Sequence, residues 1–335
     1  MKVLVAGYGL MGKQRVRALQ ELDEIAEIAI VDPRLTNTGH LGRAAAAISF
    51  EDALSRKFDA LIVSTPHDTA VDILPSLLGV APVALIEKPL GRTRAEGERL
   101  AQQATAKGVR LFVGFNYRFL KNVRRFKELL ETGELGRLLG VDAVLAHGAE
   151  PGYESESWKT DPKRCGGGVC IDPGVHLFDL IGWLFGKPEL VAKSLRTSYW
   201  PIEVEDHASL SLLLPGGAPG NIFLSISSWQ SRFELTAEFE HMQIMLRGRG
   251  RFYGPQRIVQ IRKWPWLHPN DPREAAWDYG TADQSVRDET ACLVAVARDP
   301  GKETSLATAS EGLASMTIVD ACYNGKDDES GRGQI

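Results

Sequence analysis

The sequence predicts two bodies: an α/β body built on a doubly wound parallel sheet, then an α+β body with a large, mostly antiparallel open sheet. Three observations lead there. The first third of the chain alternates short β-rich apolar runs with amphipathic stretches, its first run ends in a glycine-rich turn, and several runs after residue 207 follow one another with no helical pattern between them. With 335 residues the chain also exceeds the roughly 250–300 at which a single core stops growing.

Taken in order, Val3–Ala6, Ile28–Val31, Ala60–Ser64, Val83–Ile86 and Leu111–Gly114 read as strands, and Gly12–Leu22 and Thr93–Lys107 carry helical spacing between them. Such alternation indicates a parallel sheet covered on both faces. The boundary is placed after residue 120, so that 1–120 form the first body and 121–324 the second. In the second, Val123–Glu131 reads as a helix, Leu139–Ala146 as a strand and Val175–Phe185 as a strongly apolar helix. Ala208–Leu214, Asn221–Ser227, Glu234–Phe239, Gln243–Leu246 and Ile258–Arg262 alternate in character, and turns such as Pro215-Gly216-Gly217 suggest an antiparallel meander. Asp283–Ala297 and Leu306–Tyr323 close the fold as helices. Residues 325–335 offer no apolar anchor and are expected to be disordered.

Composition narrows the function classes. Hydrophobic residues at 44% and charged residues at 24% fit an ordinary soluble globular protein. A formal charge of −4 without a basic run argues against a nucleic-acid partner. No apolar stretch approaches the roughly 20 residues that span a bilayer, so no membrane association is expected. The first apolar run stops at Gly7, well short of a secretory signal, and a cytoplasmic location is expected. Cys165, Cys170, Cys292 and Cys322 make no disulfide framework in a chain this long. Cys165 and Cys170 lack a second ligand pair at metal spacing, so no metal is expected.

Gly7-Tyr8-Gly9-Leu10-Met11-Gly12 matches G-x-G-x-x-G directly after a strand, and Asp32 lies 20 residues past Gly12 at the end of the next strand. In that context the pattern is a Rossmann dinucleotide fingerprint. Gly7 permits the tight turn, Gly9 lets the backbone approach a pyrophosphate, and Gly12 lets helix and strand pack closely. The phosphates then meet free N–H groups at a helix N-terminus. Asp32 suits the ribose hydroxyls and repels a 2′-phosphate, which makes NAD the expected cofactor. Arg34 partly offsets that repulsion and leaves NADP open. Ser64, Thr65, Pro66 and His67 are placed along the cofactor edge, with His67 as a polar wall residue.

Glu87-Lys88-Pro89 follows the strand ending at Ile86, at the C-terminal edge where parallel sheets bind ligands. Pro89 biases Lys88 toward an extended conformation. Downstream, Asp172 before Pro173 has the form of a helix N-cap with proline at N1. His176, four residues on, would share its face. Asp179 either orients that imidazole or solvates the helix. The strip Gly152–Arg164, with Tyr153, Trp158, Lys159 and Arg164, reads as lid-like, and Trp158 suits either stacking on a sugar or plain packing.

Together these segments resemble the Gfo/Idh/MocA oxidoreductases. The resemblance rests on the fingerprint, on Glu87-Lys88-Pro89, on Gly114-Phe115-Asn116-Tyr117-Arg118-Phe119, and on the Gly167–His176 segment, all in the family's order. It implies a C-terminal α+β domain whose open sheet often serves oligomerisation, hence a homodimer or homotetramer, and a proline after the lysine that is often cis. The family's active-site lysine, aspartate and histidine fall on Lys88, Asp172 and His176. The implied reaction is reversible oxidation of a secondary alcohol on a sugar, polyol or sugar derivative. His176 would act as general base, Lys88 would stabilise alkoxide character and Asp172 would position Lys88 or a substrate hydroxyl. Asn116, Tyr117, Arg118 and Trp158 would line the substrate pocket. A glycoside hydrolase using NAD transiently and a non-catalytic sugar or cofactor sensor stand as alternatives on the same fold; retention of Lys88, Asp172 and His176 argues against the sensor.

Overall fold

The computed structural model describes residues 1–35, 41–149, 158–262 and 274–324. The expected disordered tail, 325–335, and Gly152 and Tyr153 of the lid-like strip lie outside the described residues. The first body runs β1 (Lys2–Ala6), α1 (Leu10–Gln20), β2 (Glu27–Val31), β3 (Ala45–Ala47), α2 (Phe50–Ser55), β4 (Ala60–Val63), α3 (His67–Leu77), β5 (Val83–Glu87), α4 (Arg94–Ala106) and β6 (Arg110–Gly114). These six strands are parallel, in the order β6-β5-β4-β1-β2-β3. Strand β4, Ala-Leu-Ile-Val, is buried at every residue, as expected of a strand covered on both faces. The order reverses between β1 and β4. The loops after those two strands therefore border the crevice where such sheets take ligands.

The chain continues through α5 (Lys121–Glu131), β7 (Leu138–Gly148), the short α6 (Pro162–Cys165), α7 (Val175–Phe185), β8 (Glu189–Arg196), β9 (His207–Leu213), β10 (Pro219–Ser225), β11 (Ser227–Phe239), β12 (Met242–Arg247), β13 (Arg257–Arg262) and β14 (Glu274–Asp278). It ends in α8 (Ser285–Arg298), β15 (Ala307–Thr308) and α9 (Ala309–Tyr323). The second sheet has the order β14-β13-β12-β11-β7-β10-β9-β8. The expected simple meander is thus corrected. Two antiparallel meanders, β8–β10 and β11–β14, flank β7, which is parallel to β10 and antiparallel to β11. Alternation assigns each residue to a face but does not choose a strand's neighbour. The inner face, with Leu145, Leu224, Phe233 and Leu235 fully buried, shares one core with Phe126 of α5 and Leu177 and Ile181 of α7.

The end of the chain returns to the first body. Strand β15 pairs with β6 as an antiparallel edge, α8 packs on α1, and α9 packs on α4 and α7. Arg15 of α1, fully buried, is the polar centre of that junction. Its Nε donates to Glu87 Oε1 at 2.8 Å, Nη2 to Glu289 Oε2 at 2.5 Å and Nη1 to Thr290 Oγ1 at 3.0 Å. Helix 1, the end of β5 and helix 8 are held by one guanidinium.

Candidate active site

At the cofactor end, the backbone explains each fingerprint glycine. Gly7 has φ +96°, and a Cβ there would meet Ser64 O at 2.5 Å; at Gly12 it would meet Gly7 O at 2.0 Å. Gly9 differs, because the nearest atom to an added Cβ is Arg34 Nη2 at 3.9 Å. That openness leaves room for a phosphate against the backbone. Helix α1 begins there without a side-chain cap, so its first N–H groups are available to an anion. Beside Gly7, Ser64 Oγ and Thr65 Oγ1 are buried without a hydrogen-bond partner among the described residues. The residues present therefore fit a dinucleotide. Leu10 is exposed at the turn, and Tyr8 donates its N–H to Asp32 Oδ2 at 2.6 Å. Arg34 covers the Asp32 carboxylate, with Nε on Oδ1 at 2.9 Å and Nη2 on Oδ2 at 2.8 Å. The hydrogen bonds from Arg34, above all, hold the Asp32 carboxyl down at about 2.

At the chemical end, Lys88, Asp172 and His176 converge. The Lys88–Pro89 peptide is cis, as is Asp172–Pro173. Lys88 Nζ forms an ion pair with Asp172 Oδ1, and Lys159 Nζ takes Oδ2 of the same carboxylate at 2.6 Å. Burial opposes the charge on Asp172, yet Lys159 and Lys88 outweigh it and hold the carboxyl well below its ordinary range. His176 is buried, stacked on Tyr117 with ring centroids 4.0 Å apart and planes within 4°. Its Nδ1 has no partner among the described residues. Burial, then the nearby Lys88 charge, pushes its pKa well below the usual histidine value, so the ring is neutral near pH 7.

His67 borders the same site. Its Nδ1 lies 2.8 Å from the Cys165 carbonyl, and its ring meets Trp158 edge-on at 4.6 Å. Burial and the Lys88 charge press it down to about 4, which keeps it neutral; the carbonyl then requires the hydrogen on Nδ1.

Several expectations are corrected. Asp172 does not cap a helix: α7 starts at Val175, and its N-cap position is Gly174, with no side-chain bond. The carboxylate instead meets two ammonium groups, a stronger attraction than a helix N–H offers. Asp179 neither orients His176 nor faces solvent. It is buried and takes both arms of Arg118, Nε at 2.8 Å and Nη2 at 2.6 Å. Arg118, expected in the substrate pocket, is buried and also donates to Glu311 Oε1 at 2.9 Å. These bonds join three segments. Asn116 is likewise occupied, donating to Ser285 Oγ at 2.7 Å, and Glu87 accepts from Arg15. Arg164 reaches Asp68 at 2.8 Å. One functional candidate escaped the sequence reading, Arg249, whose guanidinium carbon lies 5.1 Å over the Tyr117 ring and 4.0 Å over that of Tyr253. The signal available was the Gly248-Arg249-Gly250 triplet.

Comparison with known proteins matches these features. Residues 1–115 match the model of the oxidoreductase family with an NAD-binding Rossmann fold, and residues 123–250 match the GFO/IDH/MocA C-terminal domain. The rhizopine catabolism protein MocA of Rhizobium meliloti is 30% identical over 187 residues, 55% of this chain and 56% of that protein. Inositol 2-dehydrogenase of Leifsonia xyli subsp. xyli is 30% identical over 200 residues, 56% of this chain and 54% of that protein. The matched segment thus spans about half the length of these curated relatives. Over the whole fold, the WlbA dehydrogenase from Bordetella pertussis, solved with NADH and UDP-GlcNAcA, superposes with TM-score 0.77 at 21% identity, covering 96% of this chain and 94% of that one. With a fingerprint open at Gly9, the two sheets in this order and both family models matched in sequence, the chain belongs to the Gfo/Idh/MocA family and carries its NAD-binding Rossmann fold.

Proposed function

We propose that this protein is an NAD(P)-dependent oxidoreductase acting on a secondary alcohol of a sugar, polyol or sugar derivative. The observation that carries the reading is the pairing of a buried, neutral His176, whose Nδ1 lacks a partner among the described residues, with the Lys88–Asp172 ion pair beside it. A bound nicotinamide dinucleotide supplies the hydride acceptor or donor. His176 takes the hydroxyl proton in the oxidising direction and returns it in the reducing one, a task suited to an imidazole neutral at pH 7. Lys88 holds the substrate oxygen and stabilises negative charge as it develops there. Asp172, gripped by Lys88 and Lys159, fixes where the Lys88 ammonium points. Tyr117 keeps the His176 ring in one plane. The names of the two curated relatives, a rhizopine catabolism protein and an inositol 2-dehydrogenase, favour cyclic polyols and sugar derivatives among the substrates.

A screen of sugars, inositols and sugar nucleotides, following cofactor absorbance with NAD and NADP, tests this reading. Reduction of either cofactor by at least one such alcohol is expected. Release of an aglycone from a glycoside with no net change in absorbance would instead indicate hydrolysis.

A further inference from the structure

Arg249 lies between two glycines whose backbones only glycine accommodates. Gly248 has φ +67° and Gly250 φ +91°, and a Cβ at either would strike a carbonyl oxygen, that of Pro255 at 2.1 Å or that of Thr281 at 2.7 Å. The Gly248 carbonyl is also held by Asn122 Nδ2 at 2.9 Å. The chain thus presents Arg249 from a fixed turn. Its guanidinium lies over the rings of Tyr117 and Tyr253; Tyr117 also stacks on His176 at 4.0 Å and meets Phe233 at 5.4 Å, while Tyr253 meets His147 at 6.3 Å and Phe252 at 6.1 Å.

Among the described residues the guanidinium has a hydrogen bond with Tyr253 and one loosely placed carboxylate as its counter-charge. Its Nε is buried with no hydrogen-bond partner among the described residues. The carboxylate paired with it among the described residues, Asp283, stands 3.5 Å from Nη1, the outer limit of a hydrogen bond. Asp283 is itself engaged by Ser285, accepting from its hydroxyl at 2.6 Å and its N–H at 3.1 Å. A buried donor without an acceptor is costly, and a planar guanidinium fork is suited to grip a carboxylate or phosphate.

We propose that Arg249 anchors an anionic group of the substrate, so that the alcohol oxidised beside His176 belongs to a sugar or polyol bearing a carboxylate or phosphate. This rests on the oxidoreductase reading for the reaction, though not for the binding. The site lies one tyrosine ring from His176, which suits a charged group carried on the same small molecule as the reacting carbon.

The test is calorimetric binding to the protein–NADH complex, with gluconate and glucose 6-phosphate set against glucitol and glucose. At least one anion should bind tenfold or more tighter than its neutral counterpart, and the choice between the two anions separates carboxylate from phosphate. Arg249→Gln should erase that advantage and leave both the neutral ligands and NADH within a few-fold of native. Should Arg249→Gln fail to fold, Arg249→Lys keeps the charge without the fork and should retain only part of the preference. Equal binding of charged and neutral ligands, or no anion bound at millimolar concentration, overturns the proposal. The same compounds in the turnover screen keep the two ideas apart. Oxidation of neutral polyols alone rejects the anion anchor and leaves the reaction standing. Tight anion binding, with no alcohol of the wider screen reducing either cofactor, does the reverse.

Discussion

A histidine can accept a proton only while it is unprotonated, and the burial of His176 beside Lys88 secures this by depressing its pKa. A depressed pKa means that the base stays ready at and above neutrality and is lost only as pH falls. The acid limb of kcat/KM should therefore fall below the ordinary histidine value of about 6.5, and His176→Asn should abolish that limb while lowering kcat roughly 10²–10⁴-fold. Lys88→Met, which keeps side-chain volume and removes the charge, should lower kcat roughly 10²–10³-fold. Asp172→Asn should also slow turnover strongly, because Lys88 and Lys159 would then meet without the carboxylate that separates them. NAD affinity should stay within a few-fold of native in all three, and near-native rates in both Lys88→Met and Asp172→Asn would refute the assignment. Cofactor choice is expected to be decided at Asp32, whose carboxyl at about 2 remains ionised at every working pH. NAD should bind more tightly than NADP by titration calorimetry. Asp32→Ser should narrow the gap by removing the repulsion and a charged hydrogen bond worth about 1.5–3 kcal/mol. Equal affinities in the native protein would show that Arg34, already seated on Asp32, dominates the site. At this scale Lys88 and His176 were legible because each stands in a short motif with local context. Arg249 was not, because its partners Tyr117 and Asp283 are remote in sequence and a Gly-Arg-Gly triplet reads locally as a turn.

Elements were legible where periodicity ran long and obscure where it was short. The apolar helix Val175–Phe185 is found with the expected bounds, whereas β3, three alanines, and β15, two residues long, carry too little pattern to register. Helix α7 also shows what periodicity omits: which buried charge will meet which. The turn Asn116–Phe119 is fastened to α7 and α9 by Arg118, with Asp179 on one helix and Glu311 on the other. Arg118 and Asp179 are each about 2% exposed along their side chains. Burial already raises the Asp179 carboxyl to about 6 despite Arg118, and removing the guanidinium leaves it either charged in a medium that cannot solvate it or forced to take up a proton. Arg118→Met should therefore destabilise the fold by about 3–5 kcal/mol in denaturant unfolding. Adding Asp179→Asn to that variant should recover part of the loss, since it removes the stranded charge. A single-variant loss below about 1 kcal/mol, the scale of an exposed pair, would show that the pair contributes nothing special. Because the same turn carries Tyr117, Arg118→Met should also raise KM for the alcohol by disturbing the surface on which His176 rests.

At the scale of the molecule, the two-body plan was legible from the change of rhythm after residue 120, but not the return of the chain's end. Helix α8 and strand β15 look like any other apolar segments in sequence; only Arg15, Glu289 and the β6 edge make them part of the first body. The outer face of the second sheet poses the last question. Cross-strand register aligns Val259, Met245, Thr236, Asp142, Asn221 and Ser211 in one row across six strands. The parallel row through Ser209, Phe223 and Val144 continues into the charged Glu234 and Arg247. A shallow concavity of about 440 Å³ opens there, lined by Val144, Ala192, Asn221 and Phe223 among others. An antiparallel sheet tolerates water on one face, so openness alone does not require a partner. The composition does favour one: Val144 and Phe223 are half-buried on an open face, and Leu213 and Val191 nearby are 43% and 66% exposed. A shallow face on which half-buried Val144 and Phe223 sit among charged neighbours is a surface that a second copy can cover, at roughly 800 Å² per partner for a stable contact. A homodimer or homotetramer through this face is therefore expected by light scattering at micromolar concentration. Phe223→Lys should shift the mass to a smaller species while leaving circular dichroism and NAD binding unchanged, because it would bury an unpaired charge in the contact. A monomeric mass for the native protein, or an unchanged oligomer in Phe223→Lys, would rule out this face as the contact.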